Sequence, residues 1–213
     1  MDSFILENLR PLDWIPSYKE PEHWYEELPD AAIIKYGRRC CPDGYHRLNH
    51  IRIVLLSGTA TDPPIGFEWT APRSRFIVIE QWMLTPGYSW VMRHKDMPLI
   101  KESLILDEAN RHNNKIYDYL QLLGMYLNCE WLQFGENHEV CSTGATEITE
   151  NLTGLNLFPN LERWQVPPCS VVNDTDWSCL NVFPEHDFMI DSMTEFNEPM
   201  YPALERRESC EWL

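Results

Sequence analysis

The chain has 213 residues, 44% hydrophobic and 23% charged, which is the composition of an ordinary globular domain with a sizeable core. Its formal net charge of −16 disfavours two function classes, nucleic-acid binding and adsorption to anionic membrane surfaces. No stretch approaches the ~18 apolar residues of a transmembrane segment, so none is expected.

The first part of the chain is predicted to be an extension followed by strands. Prolines interrupt residues 1–28, which are therefore assigned to an N-terminal extension. The apolar run Ala31–Tyr36 is strand-like, and His50–Leu56 is a stronger strand because it is rich in β-branched residues. Short segments between proline and glycine turns predict three further strands, at Ile65–Thr70, Arg75–Glu80 and Tyr88–Arg93.

The spacing of apolar residues then changes to a helical period. One helix is predicted over Leu99–Arg111 and a second over Lys115–Leu127. The second would bury a stripe made of Ile116, Tyr119, Leu120, Leu123 and Leu127. A third helix starts at Cys141, with Cys141, Ala145, Ile148 and Leu152 on its inward face.

Strands followed by helices predict an α+β fold in which an antiparallel sheet packs on helices. The domain is expected to span residues 29–170, followed by an acidic C-terminal extension over 171–213. The acidic residues near both ends are either a solvated surface or a means of binding protein partners.

Seven cysteines occur in a chain whose first residues lack the basic and apolar regions of a secretory signal. Mostly reduced thiols and synthesis in the cytoplasm are therefore expected. The final location stays open, and a larger particle that contains the protein is one alternative.

Cys141 is the best-placed nucleophile among the seven cysteines. A thiol in the first turn of a helix lies near the positive end of the helix dipole, which favours the reactive thiolate. Backbone N–H groups at the same helix start could face a developing oxyanion. The alternative is a small hydrophobic core residue, since reduced cysteines are among the most buried residue types.

His50 and Glu68 are the candidate partners of that thiol. His50 opens the strongest predicted strand, where the backbone ladder would hold it, and Glu68 follows in the next strand. Strand alternation puts Glu68 on the face opposite its aromatic neighbours, so that its carboxylate could orient the imidazole. Satisfied core or surface roles remain open for both. The rival histidines are His46, His94 and His138.

Taken in order, these segments resemble the circularly permuted papain-like hydrolases, the YiiX-like branch of the NlpC superfamily. Residues 29–36 are similar to the first core strand of that family, residues 49–55 to its histidine strand and residues 66–73 to its glutamate strand. Residues 117–124 are similar to a supporting helix, and residues 140–148 to the Cys-Ser nucleophile helix. Residues 154–159 and 164–168 are similar to the closing segment.

The resemblance implies a permuted papain-like, NlpC-type fold and a cysteine hydrolase that needs no cofactor and no metal. Cys141 would be the nucleophile, His50 the general base and then acid, and Glu68 the orienting group, acting on a peptide-like or acyl substrate. One departure is that the family often has a small residue and then Gly after the histidine, whereas here Ile51 and Arg52 follow, and Arg52 brings a bulky cation near the site.

Three alternatives remain open. The same fold could persist without activity as a structural or assembly protein, or it could act on lipids as an acyltransferase or esterase. A structural zinc site is the third, because Cys40, Cys41, His46 and His50 lie close together in the sequence. Adjacent cysteines rarely bind one zinc ion without strain, and such a site would consume the proposed base.

Overall fold

The computed structural model describes residues 3–18, 31–38, 48–84, 89–127, 129, 132, 135 and 137–180. In this part of the chain the helices are α1 (Ser3–Asn8), α2 (31–38), α3 (Glu102–His112), α4 (Tyr119–Leu127), α5 (Cys141–Thr153) and α6 (Ser170–Asn173). The strands are β1 (Trp14–Ser17), β2 (His50–Leu56), β3 (Ile65–Trp69), β4 (Ser74–Val78), β5 (Met92–His94), β6 (Ile116–Tyr117), β7 (His138–Glu139) and β8 (Trp177–Cys179). Short 3₁₀ turns lie at Gln81–Leu84 and Arg163–Gln165.

A six-stranded antiparallel sheet organises the fold, with the strand order β4-β3-β2-β1-β5-β8. A separate parallel pair, β6 and β7, leads into α5. The predicted α+β class with an antiparallel sheet and packed helices is therefore confirmed.

The sheet extends beyond residues 29–170 at both ends. β1, from the expected N-terminal extension, lies in the middle of the sheet between β2 and β5. β8, from the expected C-terminal extension, forms one edge and pairs with β5. Both ends of the described chain thus contribute strands to the core sheet.

The two faces of the sheet bury different side chains. On the helix face, Trp14, Ile53 and Phe67 share the main apolar core with Ala145 and Ile148 of α5. On the opposite face, a smaller core is formed by Leu9, Ile15, Val54, Ile79, Leu84 and Val91. Because side chains alternate along a strand, each position of β2 can be assigned to one face.

Two local predictions are wrong. Residues 31–38 form a helix instead of a strand, since the buried positions Ile33, Tyr36 and Gly37 recur at helical spacing. On α4 the predicted stripe is not the buried face: Leu123 and Leu127 are more than 40% exposed, while Leu122 and Met125 are buried. The start of that predicted helix is strand β6.

Among the helices of the described residues, none has the length and apolar character that crossing a membrane requires.

Candidate functional site

Cys141 is the first residue of α5, as predicted. Val140 precedes it in an extended conformation, so the chain turns from β7 directly into the helix. The thiol is only 1% exposed, and its Sγ lies 4.0 Å from the carbonyl oxygen of Asn49. The stripe of Cys141, Ala145 and Ile148 is buried in the main core, which confirms the predicted inward face.

The environment of the Cys141 thiol stabilises the protonated form. Burial raises its pKa to about 11, although hydrogen bonds from the backbone N–H groups of Ile51 and Ser142 and from the Tyr117 hydroxyl act in the lowering direction. The helix start alone predicted the reverse, a thiol biased toward thiolate. Desolvation outweighs the local donors, so the sulfur needs a base at the moment of attack.

His50 and Glu68 form a buried pair. His50 Nε2 lies 3.4 Å from Glu68 Oε2, and the two residues are 4% and 5% exposed. The same carboxylate binds two arginines: Arg52 Nε donates to Oε2 at 3.1 Å, and Arg75 donates to Oε1 at 2.7 and 2.9 Å. Arg52 reaches further to Ser17 Oγ at 3.0 Å. Two strands, β2 and β4, therefore place cationic or imidazole groups on the one carboxylate of β3.

Glu68 is held in its ionised form. Burial by itself would raise its pKa, but the hydrogen bond and charge of His50 together with the charges of Arg52 and Arg75 outweigh burial and hold the pKa well below the usual range. An anionic Glu68 can accept a hydrogen bond from a protonated ring nitrogen of His50 and so fix the orientation of the ring.

The thiol and the His50–Glu68 pair lie on different sides of β2. Ile51 packs in the main core with Cys141, whereas Arg52 and Glu68 face each other across the strands on the opposite face. Alternation places His50 with Arg52 on that opposite face, as it places Glu68 opposite its aromatic neighbours. The thiol meets the backbone at Asn49 and Ile51, the two residues that flank His50.

The rival histidines have other environments. His94 is 5% exposed, accepts a hydrogen bond from the backbone N–H of Asp96 at its Nδ1 and stacks edge-on against Trp177. His138 lies in β7 and is half-buried. His46, with Cys40 and Cys41 of the zinc alternative, lies outside the described residues.

Two further groups near α5 carry no local sequence signal. Tyr117 donates its hydroxyl to the Cys141 sulfur although 24 positions separate them. His112 forms a second buried imidazole–carboxylate pair, with its Nδ1 2.8 Å from Glu139 Oε2 across 27 positions. Both contacts depend on tertiary folding, which spacing along the chain does not show.

A metal ion would need ligand atoms that are not already engaged in hydrogen bonds with other side chains. Within the described ranges, His112, Glu139 and Glu147 place potential ligand atoms within 4.8 Å of one another. Glu139 already accepts hydrogen bonds from His112, Trp69 and the ammonium group of Lys115. A cation next to that ammonium would meet charge repulsion, so the cluster is better described as a hydrogen-bond network.

The described cysteines differ in redox state. Cys141, Cys169 and Cys179 carry reduced thiols, whereas Cys129 is disulfide-bonded. The expectation of mostly reduced thiols thus has one exception in the part that the structure describes.

Comparison of the chain with protein-family models, with curated proteins and with solved structures finds no match in any of the three.

Proposed function

We propose that the protein is a cysteine hydrolase that cleaves an amide or peptide bond through an acyl-enzyme on Cys141. The observation that supports this most directly is the buried His50–Glu68 pair at 3.4 Å, located at the strand position whose flanking backbone contacts the thiol. A nucleophile, an imidazole and an orienting carboxylate thus lie near the start of β2, with the thiol on one face of the strand and the His50–Glu68 pair on the other.

The proposed reaction follows from these groups. His50 takes the proton of Cys141 as the sulfur attacks the substrate carbonyl carbon, and the N–H groups at the start of α5 stabilise the oxyanion. His50 then protonates the leaving amine, which gives a thioester. Water, deprotonated by His50, releases the carboxylic acid and restores the thiol. With the thiol pKa at about 11, proton transfer has to accompany attack. Because strand alternation places His50 and the thiol on different faces of β2, the imidazole has to change position to reach the sulfur.

The chain order supports a permuted papain-like fold for this enzyme. The histidine strand β2 comes first, the glutamate strand β3 second and the nucleophile helix α5 last. The cytoplasm, a peptide-like or acyl substrate and the absence of a cofactor belong to the same proposal. Esterase or acyl-transfer activity on a lipid would use the same acyl-enzyme and differs only in the substrate.

A second candidate is a catalytically silent structural or assembly protein. Two observations favour it: the Cys141 thiol is 1% exposed with a raised pKa, and strand alternation separates it from His50. In that case the acidic termini would bind protein partners, although residues 19–30 and 181–213 lie outside the described residues.

Trapping of the acyl-enzyme distinguishes the two candidates. We would incubate the protein with activated amide and ester substrates, quench in acid and measure intact mass and the acylated peptide. The hydrolase predicts an acyl adduct on Cys141 that disappears in Cys141→Ala and persists in Cys169→Ala, which removes another buried thiol. His50→Ala should slow acylation by about 10²–10⁴-fold. Equal labelling of wild type and Cys141→Ala would favour the silent protein.

A further inference from the structure

Glu139 lies at the junction that delivers Cys141 to the site. It ends β7, two residues before the thiol, and only Val140 separates it from α5. Its backbone pairs with Tyr117 of β6, whose hydroxyl donates to the Cys141 sulfur. The position of Glu139 therefore bears directly on the position of the thiol.

The Glu139 carboxylate binds side chains from β3, from α3 and from the connection between α3 and β6. Trp69 of β3 donates its indole N–H at 2.6 Å, His112 of α3 lies at 2.8 Å, and Lys115, just before β6, donates at 3.0 Å. Glu139 itself is 3% exposed. Buried charge-assisted hydrogen bonds of this kind are strong and directional, so three of them fix one conformation of the carboxylate.

Trp69 carries this fixation into the first turns of α5. A Cβ added at Gly144 would lie 2.3 Å from the Trp69 indole nitrogen, so the ring rests directly on the helix backbone. The indole is thus held between the Glu139 carboxylate and the helix that begins with Cys141. Removing the carboxylate would release both the β7 end and the ring.

We infer that Glu139 is a positioning residue that, through Trp69, His112 and Lys115, holds the start of α5 so that the Cys141 thiol stays against Asn49. Its catalytic consequence depends on the proposed function, because it matters only if Cys141 is the nucleophile. Its structural consequence does not, because a silent protein would hold the same thiol in the same place.

The first experiment measures the iodoacetamide alkylation rate of each thiol in the native protein by peptide mapping. Glu139→Gln should accelerate alkylation of Cys141 by about tenfold or more, because charge-assisted hydrogen bonds that close the junction are lost. Cys169 is a buried thiol in a separate small cluster with Leu48, and its rate should stay unchanged. Lys115→Gln removes one donor and should act in the same direction with a smaller effect.

Glu108→Gln is the matched control. Glu108 is also buried in this region and approaches His112 at 3.8 Å, but it binds Arg111 of its own helix α3 and Asn151 near the far end of α5. Its substitution should change Cys141 alkylation by less than about twofold. If Glu108→Gln matched Glu139→Gln, or if Cys169 accelerated together with Cys141, general loosening would explain the result and the positioning role would be overturned.

The second experiment is kinetic and applies once a substrate is turned over. Glu139→Gln should lower kcat about tenfold with KM nearly unchanged, because a misplaced sulfur weakens stabilisation of the transition state more than it weakens substrate binding. Faster alkylation with slower turnover is the expected combination. Faster alkylation in a protein without any acyl-enzyme would keep the positioning role and remove the hydrolase. Unchanged alkylation with full turnover would remove the positioning role alone.

Discussion

The described residues include two buried imidazole–carboxylate pairs that differ in distance, 3.4 Å for His50–Glu68 and 2.8 Å for His112–Glu139, and in surroundings. The His50–Glu68 pair lies on the face of the sheet opposite the main apolar core, and its carboxylate also binds Arg75, whose side chain is 65% exposed. His112–Glu139 lies behind α5, and its cation, Lys115, is only 19% exposed. The first pair therefore has a partner at the surface, Arg75, although His50 itself is only 4% exposed, whereas the lysine partner of the second pair is largely covered.

This difference separates a candidate catalytic pair from a positioning pair. A base must exchange protons with substrate and water, and the first pair has a partner at the surface, Arg75, beside its carboxylate. A positioning group must keep one conformation, and a dry environment strengthens the hydrogen bonds that fix Glu139. The two pairs therefore support different roles, and the surroundings of each carboxylate distinguish them.

The largest expected effect is the loss of Glu139. Glu139→Ala should lower the free energy of unfolding by about 3–5 kcal/mol, because His112, Lys115 and Trp69 would keep buried donors without their acceptor. Urea denaturation at neutral pH measures this loss. Glu147→Ala, which removes a half-buried carboxylate of α5, should cost less than about 1 kcal/mol. Similar losses in the two variants would show that the Glu139 network is not an enclosed one.

Gly144→Ala tests the contact between Trp69 and α5. Alanine ordinarily stabilises a helix interior relative to glycine, but here its Cβ would lie 2.3 Å from the Trp69 indole. We expect a net loss of about 1–3 kcal/mol from overpacking, measured by thermal or urea unfolding. In a Trp69→Leu background the same substitution should cost less or become stabilising. An additive double mutant would contradict the contact.

Much of the fold was predictable because local patterns and tertiary packing agree. The β-branched run at His50–Leu56 predicted the bounds of β2, and the four-three-four spacing after Cys141 predicted α5 and its buried face. β1 was missed because Pro16 interrupts Trp14–Ser17, and proline is uncommon inside central strands. A four-residue strand also has too few alternations to be recognised on its own.

The candidate site was predictable only in part. The contact of His50 with Glu68 follows from their positions in paired strands, so strand prediction brings them together. His112 and Glu139 come from a helix and a two-residue strand, and nothing local links them. The raised pKa of Cys141 was also missed, because the amount of burial around a thiol depends on the whole fold.

The pH dependence of stability tests whether Glu68 is held as an anion. Its pKa is lowered by folding from an ordinary value of 4.5, so the unfolded state binds more protons in this window and stability is lost as the pH falls below about 5. Asp13 has the reverse sign: desolvation raises its pKa above 3.8 in spite of Arg93, so its contribution is lost as the pH rises through the folded value.

Urea midpoints between about pH 3 and 7 measure both contributions. Below about pH 5, Glu68→Gln should reduce the slope of the free energy of unfolding against pH by up to about 1.4 kcal/mol per pH unit. Asp13→Asn should make this slope steeper. An unchanged slope in Glu68→Gln would mean that the carboxylate titrates alike in the folded and unfolded protein, in conflict with its ion pairs.

The smallest expected effect is that of Arg75, and Arg52 is its matched reference because both arginines bind Glu68. The Arg75 side chain is 65% exposed and the Arg52 side chain 10%. Arg75→Gln should therefore cost less than about 1 kcal/mol of unfolding free energy, since water replaces its contacts. Arg52→Gln should cost at least about 2 kcal/mol, because it leaves buried acceptors on Glu68 and Ser17 with a weaker donor. Equal costs in urea denaturation would show that Glu68 is as enclosed as Glu139, and the proposed difference in surroundings between the two pairs would then be wrong.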